Sequence, residues 1–143
     1  MTVKALLARK GSHVTTISPT VPLTVAIKMM ADHRIGALVV TGAEGRVIGI
    51  ISERDIVRAL AEHAAQALDR PVSEVMTRNV VTCSERDTVC DLMERMTDGK
   101  FRHIPVIEQG RLCGIVSIGD VVKRRVEELE HDGAALQDYI RTA

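Results

Sequence analysis

Apolar positions along the chain switch between two periods, and the switch occurs twice. Over residues 24–33, Ala26, Ile27, Met29 and Met30 recur among polar residues at roughly helical spacing. Over 88–98, Val89, Leu92, Met93 and Met96 do the same. Each stretch leads into a short run rich in β-branched residues, 37–40 and 104–107, which predicts a strand. Glu44-Gly45 and Gln109-Gly110 then mark turns, because glycine tolerates backbone angles that other residues resist. Second strands follow at 47–51 and 112–116, and helices at about 53–62 and 120–130. With first strands at VTTIS (14–18) and VVTCS (80–84), each unit reads strand, helix, strand, strand, helix over about sixty residues.

The two units repeat residue by residue. VIGIISERDIV at 47–57 answers LCGIVSIGDVV at 112–122, so that Gly49, Ser52 and Asp55 recur as Gly114, Ser117 and Asp120. Short apolar starts also correspond, VKALL at 3–7 facing VSEVM at 72–76, with Pro71 opening the second. The expected division is a first unit over 1–65, a second over 66–131 and a C-terminal amphipathic tail over 132–143. Units this small bury little surface alone, so they are expected to pack together as a pseudo-twofold pair of mixed class, α/β (α+β). Leu136, Tyr139 and Ile140 of the tail are expected to cover the body or a partner, with plain packing favoured.

Composition narrows the function. The chain holds one Phe, one Tyr and no Trp, so it lacks the rings on which nucleic-acid-binding proteins stack bases. Nineteen basic residues balance nineteen acidic ones, so there is no cationic surplus to release counterions from a polynucleotide. Neither nucleic acid nor membrane is an expected partner, and cytoplasmic location is the default. Cys83, Cys90 and Cys113 form no C-x-x-C pair and are expected to be buried free thiols. His13, His33, His63 and His131 are too scattered to argue a metal site. There is no G-x-x-x-x-G-K-[ST] loop and no paired base and nucleophile, so an enzyme is not expected.

The repeated G-h-h-S-x-x-D element, where h is apolar, carries the candidate chemistry. A glycine inside an apolar strand weakens it unless the backbone must stay bare, for instance against a flat ligand. The serine follows the strand end, where hydroxyl and amides reach a phosphate or sugar. The aspartate, one helical turn on, can accept from ribose hydroxyls. An alternative stands beside this: Ser52 and Asp55 could merely cap a helix. Gly119 leaves space beside Asp120, where the first unit has Arg54, a charged fork for phosphate. Arg102 and His103 precede the second-unit strand, and His103 is either a phosphate donor or a partly buried packing residue. Arg34, Arg58, Lys123 and Arg124 read as solvated surface.

Taken together, the paired G-h-h-S-x-x-D elements, the V-T-h-S starts and the R-H-I-P-V strand resemble the CBS domain family, named for cystathionine β-synthase. The likeness covers about residues 3–62 and 71–130 and is closest to a stand-alone bacterial tandem pair, a Bateman module. It implies an adenosine effector, AMP, ADP, ATP, NAD or S-adenosylmethionine, bound between the units, with no catalytic cofactor. It assigns ribose to Asp55 and Asp120, and places Ser52 and Ser117 near ribose and phosphate. Backbone around Thr16 and Thr82 falls to adenine, and Arg54, Arg102 and His103 to phosphate. It also implies a homodimer through helices of both units and a protein target of unknown identity. The cleft containing Asp120, Arg102 and His103 is the expected site. The competing expectation is a homodimeric scaffold that holds no ligand.

Overall fold

The computed structural model describes residues 1–142. In chain order its elements are α1 (Val3–Lys10), β1 (Thr16–Ile17), α2 (Leu23–His33), β2 (Ala37–Thr41), β3 (Val47–Ser52), α3 (Glu53–His63), α4 (Val72–Val75), α5 (Val89–Gly99), β4 (His103–Glu108), β5 (Arg111–Ser117) and α6 (Ile118–Thr142). Short 3₁₀ turns lie at Ala43–Gly45 and Ala64–Asp69. The β-α-β-β-α order of the first unit is complete. In the second, the leading strand is reduced to a single parallel bridge from Cys83 to Val106.

Both sheets are built on the same hairpin. β2 and β3 pair antiparallel from Ala37 opposite Ser52, and β4 and β5 from His103 opposite Ser117. Each hairpin carries a register shift near its turn, at Val40/Thr41 and at Val106/Ile107. Between β4 and β5, Gln109 and Gly110 both have positive φ, 51° and 75°. That is the backbone hand a two-residue hairpin needs, and it explains the glycine.

The short helices are exchanged between the units. α4 packs on the first core, where Val72 and Met76 join Leu23, Leu38 and Ile51. Its amides bind the chain just ahead of α2, with Val72 N–H donating to Val21 O at 2.9 Å and Ser73 N–H to Pro19 O at 2.9 Å. Conversely α1 packs on the second core, where Val3, Leu6 and Leu7 join Leu92, Ile104 and Val116. Val3 N–H donates to Asp87 O at 2.8 Å, and Val89 N–H to Met1 O at 2.9 Å. The sequence pairs VKALL with the first unit and VSEVM with the second. In space each completes the other unit's core, so neither half buries its apolar set alone.

Two further features depart from expectation. The predicted tail is, through residue 142, a continuation of α6 rather than a separate element; Ala143 lies outside the described residues. Gly133 is carried inside that helix, at a cost that flanking helix formers absorb. Leu136, Tyr139 and Ile140 are at least 60% exposed, so they do not cover the body as expected. Of the three thiols only Cys83 is buried; Cys113 is intermediate, and Cys90 is exposed because it falls on the outer side of α5. Burial, followed by the nearby Asp87 charge, pushes the Cys83 thiol up to about 12, which leaves it inert at neutral pH.

Candidate functional site

Strand ends and helix starts create the two motif sites by the same local physics. At the β3–α3 junction Ser52 is the N-cap, and its side chain accepts from the Asp55 amide while the Asp55 carboxylate accepts from the Ser52 amide. This reciprocal box satisfies amides that have no partner within the helix. The Ser117–Asp120 pair repeats it, with Ser117 N–H donating to Asp120 Oδ2 at 2.8 Å and Asp120 N–H to Ser117 Oγ at 3.2 Å. The capping alternative is therefore realised in both units. It does not exhaust either carboxylate, since an ionised carboxylate offers about four acceptor positions.

The remaining acceptors differ. Asp55, only 7% exposed, takes Ser52 Oγ–H on Oδ2 at 3.1 Å and Thr77 Oγ1–H on Oδ1 at 3.0 Å. Asp120 takes Ser117 Oγ–H at 3.0 Å and the Lys10 ammonium at 2.5 Å, both on Oδ2. Lys10 also donates to Ile115 O at 2.7 Å. Burial alone would raise the Asp120 pKa, but donation from Lys10 and from Ser117 outweighs it and holds the carboxyl below its ordinary value.

Two cavities adjoin these boxes: Asp55 lines the first, whereas Asp120 does not line the second and meets it through its bonded partners Lys10 and Ser117. The first, about 460 Å³, is lined by Ser52, Arg54 and Asp55 of the first unit and by Lys100, Arg102 and His103 of the second. The other, about 440 Å³, is lined by Lys10, His13 and Thr15, by His33 and Arg34, and by Ser117. Both have the size of a small-molecule site. His103 and Gly36 line both, so the cavities adjoin. Burial depresses the His103 imidazole pKa; Glu53 and Asp120 oppose the shift, while Lys10 and Arg102 add to it.

This geometry divides the expected cleft of Asp120, Arg102 and His103. Arg102 lines the Asp55 cavity, Ser117 and Lys10 line the other, Asp120 lines neither, and of the three expected residues only His103 lines both. Register is the reason: His103 stands opposite Ser117, and the preceding residue leaves the sheet toward the first unit. Arg54 spans the units, donating to Lys100 O at 2.7 Å. Thr16 and Thr82 line neither cavity, whereas their neighbours Thr15 and Val81 do.

Gly49 and Gly114 line neither cavity. A Cβ on Gly49 would fall 2.5 Å from Met76 Sδ and 3.0 Å from Thr77 O, and one on Gly114 would fall 2.7 Å from Leu7. The bare backbone accommodates the exchanged helices. Gly119 is exposed, and a Cβ there would meet only Ser117 Oγ at 3.6 Å, so no contact demands glycine.

Several lining residues escaped the sequence reading. Arg58 and Arg34, read as surface, line the first and second cavity respectively. His13 and His33 converge with His103, although no group of three or more His, Cys, Asp or Glu placed to hold a metal occurs among the described residues. Lys10, Thr77 and Lys100 are lining residues that the sequence reading did not single out. Lys10 ends one exchanged helix and Thr77 follows the other, and no pattern within one unit points across to the other.

Comparison with known proteins agrees with this geometry. The CBS domain family model matches residues 3–62 and 72–127. A solved CBS-domain-containing protein from Agrobacterium tumefaciens is 53% identical, with a TM-score of 0.85, over 87% of this chain and 92% of that one. The CBS domain pair of protein MJ0100, solved in complex with 5′-methylthioadenosine and S-adenosyl-L-methionine, is 27% identical with a TM-score of 0.78, over 90% of this chain and 98% of that one. Among curated proteins, the CBS domain-containing protein YhcV of Bacillus subtilis is 32% identical over 87% of each chain. The chain spans 58% of the mitochondrial relative CBSX3 of Arabidopsis thaliana, to which it is 38% identical.

Proposed function

The chain belongs to the CBS domain family as a tandem pair, and from that premise we propose that it is a regulatory module binding a phosphate-bearing adenosine ligand between its units. The observation that carries this reading is the convergence of Arg54, Arg58, Lys100 and Arg102 from both units on one cavity beside Asp55. These four exposed cations outnumber Glu53 and Asp55, the carboxylates of the same lining, so the cavity attracts an anion, and guanidinium groups suit phosphate. A ligand spanning Arg54 and Arg102 touches both units, so it binds one relative arrangement better than another and shifts the population. AMP, ADP, ATP and NAD all present the required chemistry. S-adenosylmethionine is the second reading, favoured by the ligands of the MJ0100 pair.

The output reaches a second copy of the chain or another protein. Val57 on α3 and Val122 on α6 occupy corresponding positions and are 65% and 53% exposed. An apolar groove between α2 and α3, lined by Ile27, Met30, Ile56 and Leu60, continues the first of these surfaces. A homodimer through helices of both units would cover them.

Calorimetric titration with AMP, ADP, ATP, NAD and S-adenosylmethionine tests the reading. At least one phosphate-bearing ligand is expected to bind with Kd on the order of micromolar, weakened roughly tenfold by Arg102→Ala. No heat with any of them, or equal affinity in R102A, would overturn it.

A further inference from the structure

We propose that Lys10 is a latch on the Asp120 cleft, which makes that cleft select phosphate-bearing adenosine ligands over the uncharged nucleoside. The proposal rests on the adenosine-ligand reading and deepens it for one of the two clefts.

The two clefts are alike in volume and in their serine–aspartate box, but their carboxylates face different neighbours. Asp55 meets a neutral hydroxyl, from Thr77. Asp120 meets an ammonium group, and that ammonium bonds the Ile115 carbonyl as well. Lys10 thus occupies one carboxylate oxygen, Oδ2, and a strand carbonyl at once, two acceptors of the kind that the hydroxyls or exocyclic amine of a nucleoside use. Its side chain is 28% exposed and that of Asp120 is 23% exposed, so the pair is only partly in contact with water.

Lys10 lines this cavity and Asp120 does not, so an uncharged nucleoside must displace the ammonium to reach the carboxylate, and it offers the lysine no anion in return. The displaced charge would be left part-buried without a partner, which is costly. A phosphate removes that penalty, because the flexible lysine stem can swing the ammonium from carboxylate to phosphate. The surroundings favour the exchange: Arg34, His13, His33 and His103 line the same cavity, and no acidic residue among the described residues does. The Asp55 cleft, by contrast, includes Glu53 in its lining. Lys10 is also the last residue of α1, whose Leu7 sits against Gly114, so transfer of its ammonium changes what pins the end of that helix to β5.

The test is an amide-resolved NMR titration of the full chain with adenosine and with AMP. Resonances of Gly11 and Ser117 report the Asp120 cleft, and those of Thr77 and Asn79 report the other. In the unmodified protein, Gly11 and Ser117 are expected to respond to AMP at concentrations at least about tenfold lower than to adenosine. Lys10→Met and Lys10→Gln should bring that ratio to within about twofold at these two amides, and leave it unchanged at Thr77 and Asn79. Lys10→Arg should keep the preference. If both neutral variants still bind with the preference intact, the latch is wrong while the ligand reading stands. If no amide in either cleft of the unmodified protein responds to AMP or adenosine, both fall together.

Discussion

The two clefts of this chain share an ancestry of sequence and differ in what stands at their mouths. Around Asp55 the cations come from the α3 turn and from the residues before β4, and one of them, Arg54, is tied to a backbone carbonyl across the unit boundary. Around Asp120 they come from α1 and from the end of α2, and one of them, Lys10, is tied to the motif carboxylate itself. The same seven-residue motif therefore yields one carboxylate with neutral partners and one that is already neutralised. A repeated motif specifies the box at a helix start. The elements brought in from the opposite unit decide what that box can bind.

The comparison can be broken first at the exchanged helices. Leu7→Ala should destabilise the fold by about 2–4 kcal/mol, as large-to-small changes in buried leucines do. The loss should fall on the second core, so amide exchange should accelerate at Leu92, Ile104 and Val116 more than at Leu38 and Ile51. Met76→Ala should show the converse. Equal acceleration in both cores for either variant would contradict the exchange.

A somewhat smaller effect is expected at the strand glycines. Gly49→Ala drives a methyl group against Met76 and the backbone carbonyl of Thr77, for about 2–3 kcal/mol in urea denaturation. Gly114→Ala meets only the side chain of Leu7, which can turn away, so about 1 kcal/mol is expected. The reverse order would mean that the first unit yields more easily than its packing implies.

Thr77→Val removes the hydroxyl that sets the Asp55 carboxylate apart from that of Asp120. It should cost about 1 kcal/mol of stability, the worth of one hydrogen bond. Ligand response in the Asp120 cleft should be unaffected, which the Gly11 and Ser117 resonances would show.

The smallest effect is in the acid limb of stability. Asp87 is held below its ordinary pKa by the Ser84 amide and by Arg95, and Asp120 by Lys10 and Ser117 against the opposing effect of burial. For a depressed carboxyl the contribution is fully present above the unfolded value, near 3.9, and disappears as pH falls through the lower folded value. Lys10→Gln should flatten this limb in urea titrations between about pH 5 and pH 2, and Arg95→Ala should flatten it further. An unchanged limb in both would mean that these pairs are solvated in solution.

The elements themselves were legible because hydrophobic period, turn dipeptides and the S-x-x-D box are local. Residues 24–33, 37–40 and 104–107 lie within observed helices and strands, and the Ser52–Asp55 box forms from a few consecutive residues. Gly133 was less legible, because a single glycine weakens a helix without ending it. The motif aspartates, Arg54, Arg102 and His103 were found because they stand within or beside a repeated pattern. Lys10 and Thr77 were not, because their importance depends on contacts across 110 and 22 residues of chain.

By itself, then, the sequence determined the two-unit repeat, the elements within each unit and the helix-start boxes, all of which follow from short-range periodicity and capping. Only the tertiary structure decided that α1 completes the second unit and α4 the first, that Gly49 and Gly114 make room for those helices, and that Arg102 and Lys10, the partner of Asp120, line different cavities. These are choices between packings that satisfy the same local pattern. They are settled where buried side chains of one unit meet the backbone of the other, at separations along the chain that no local period records.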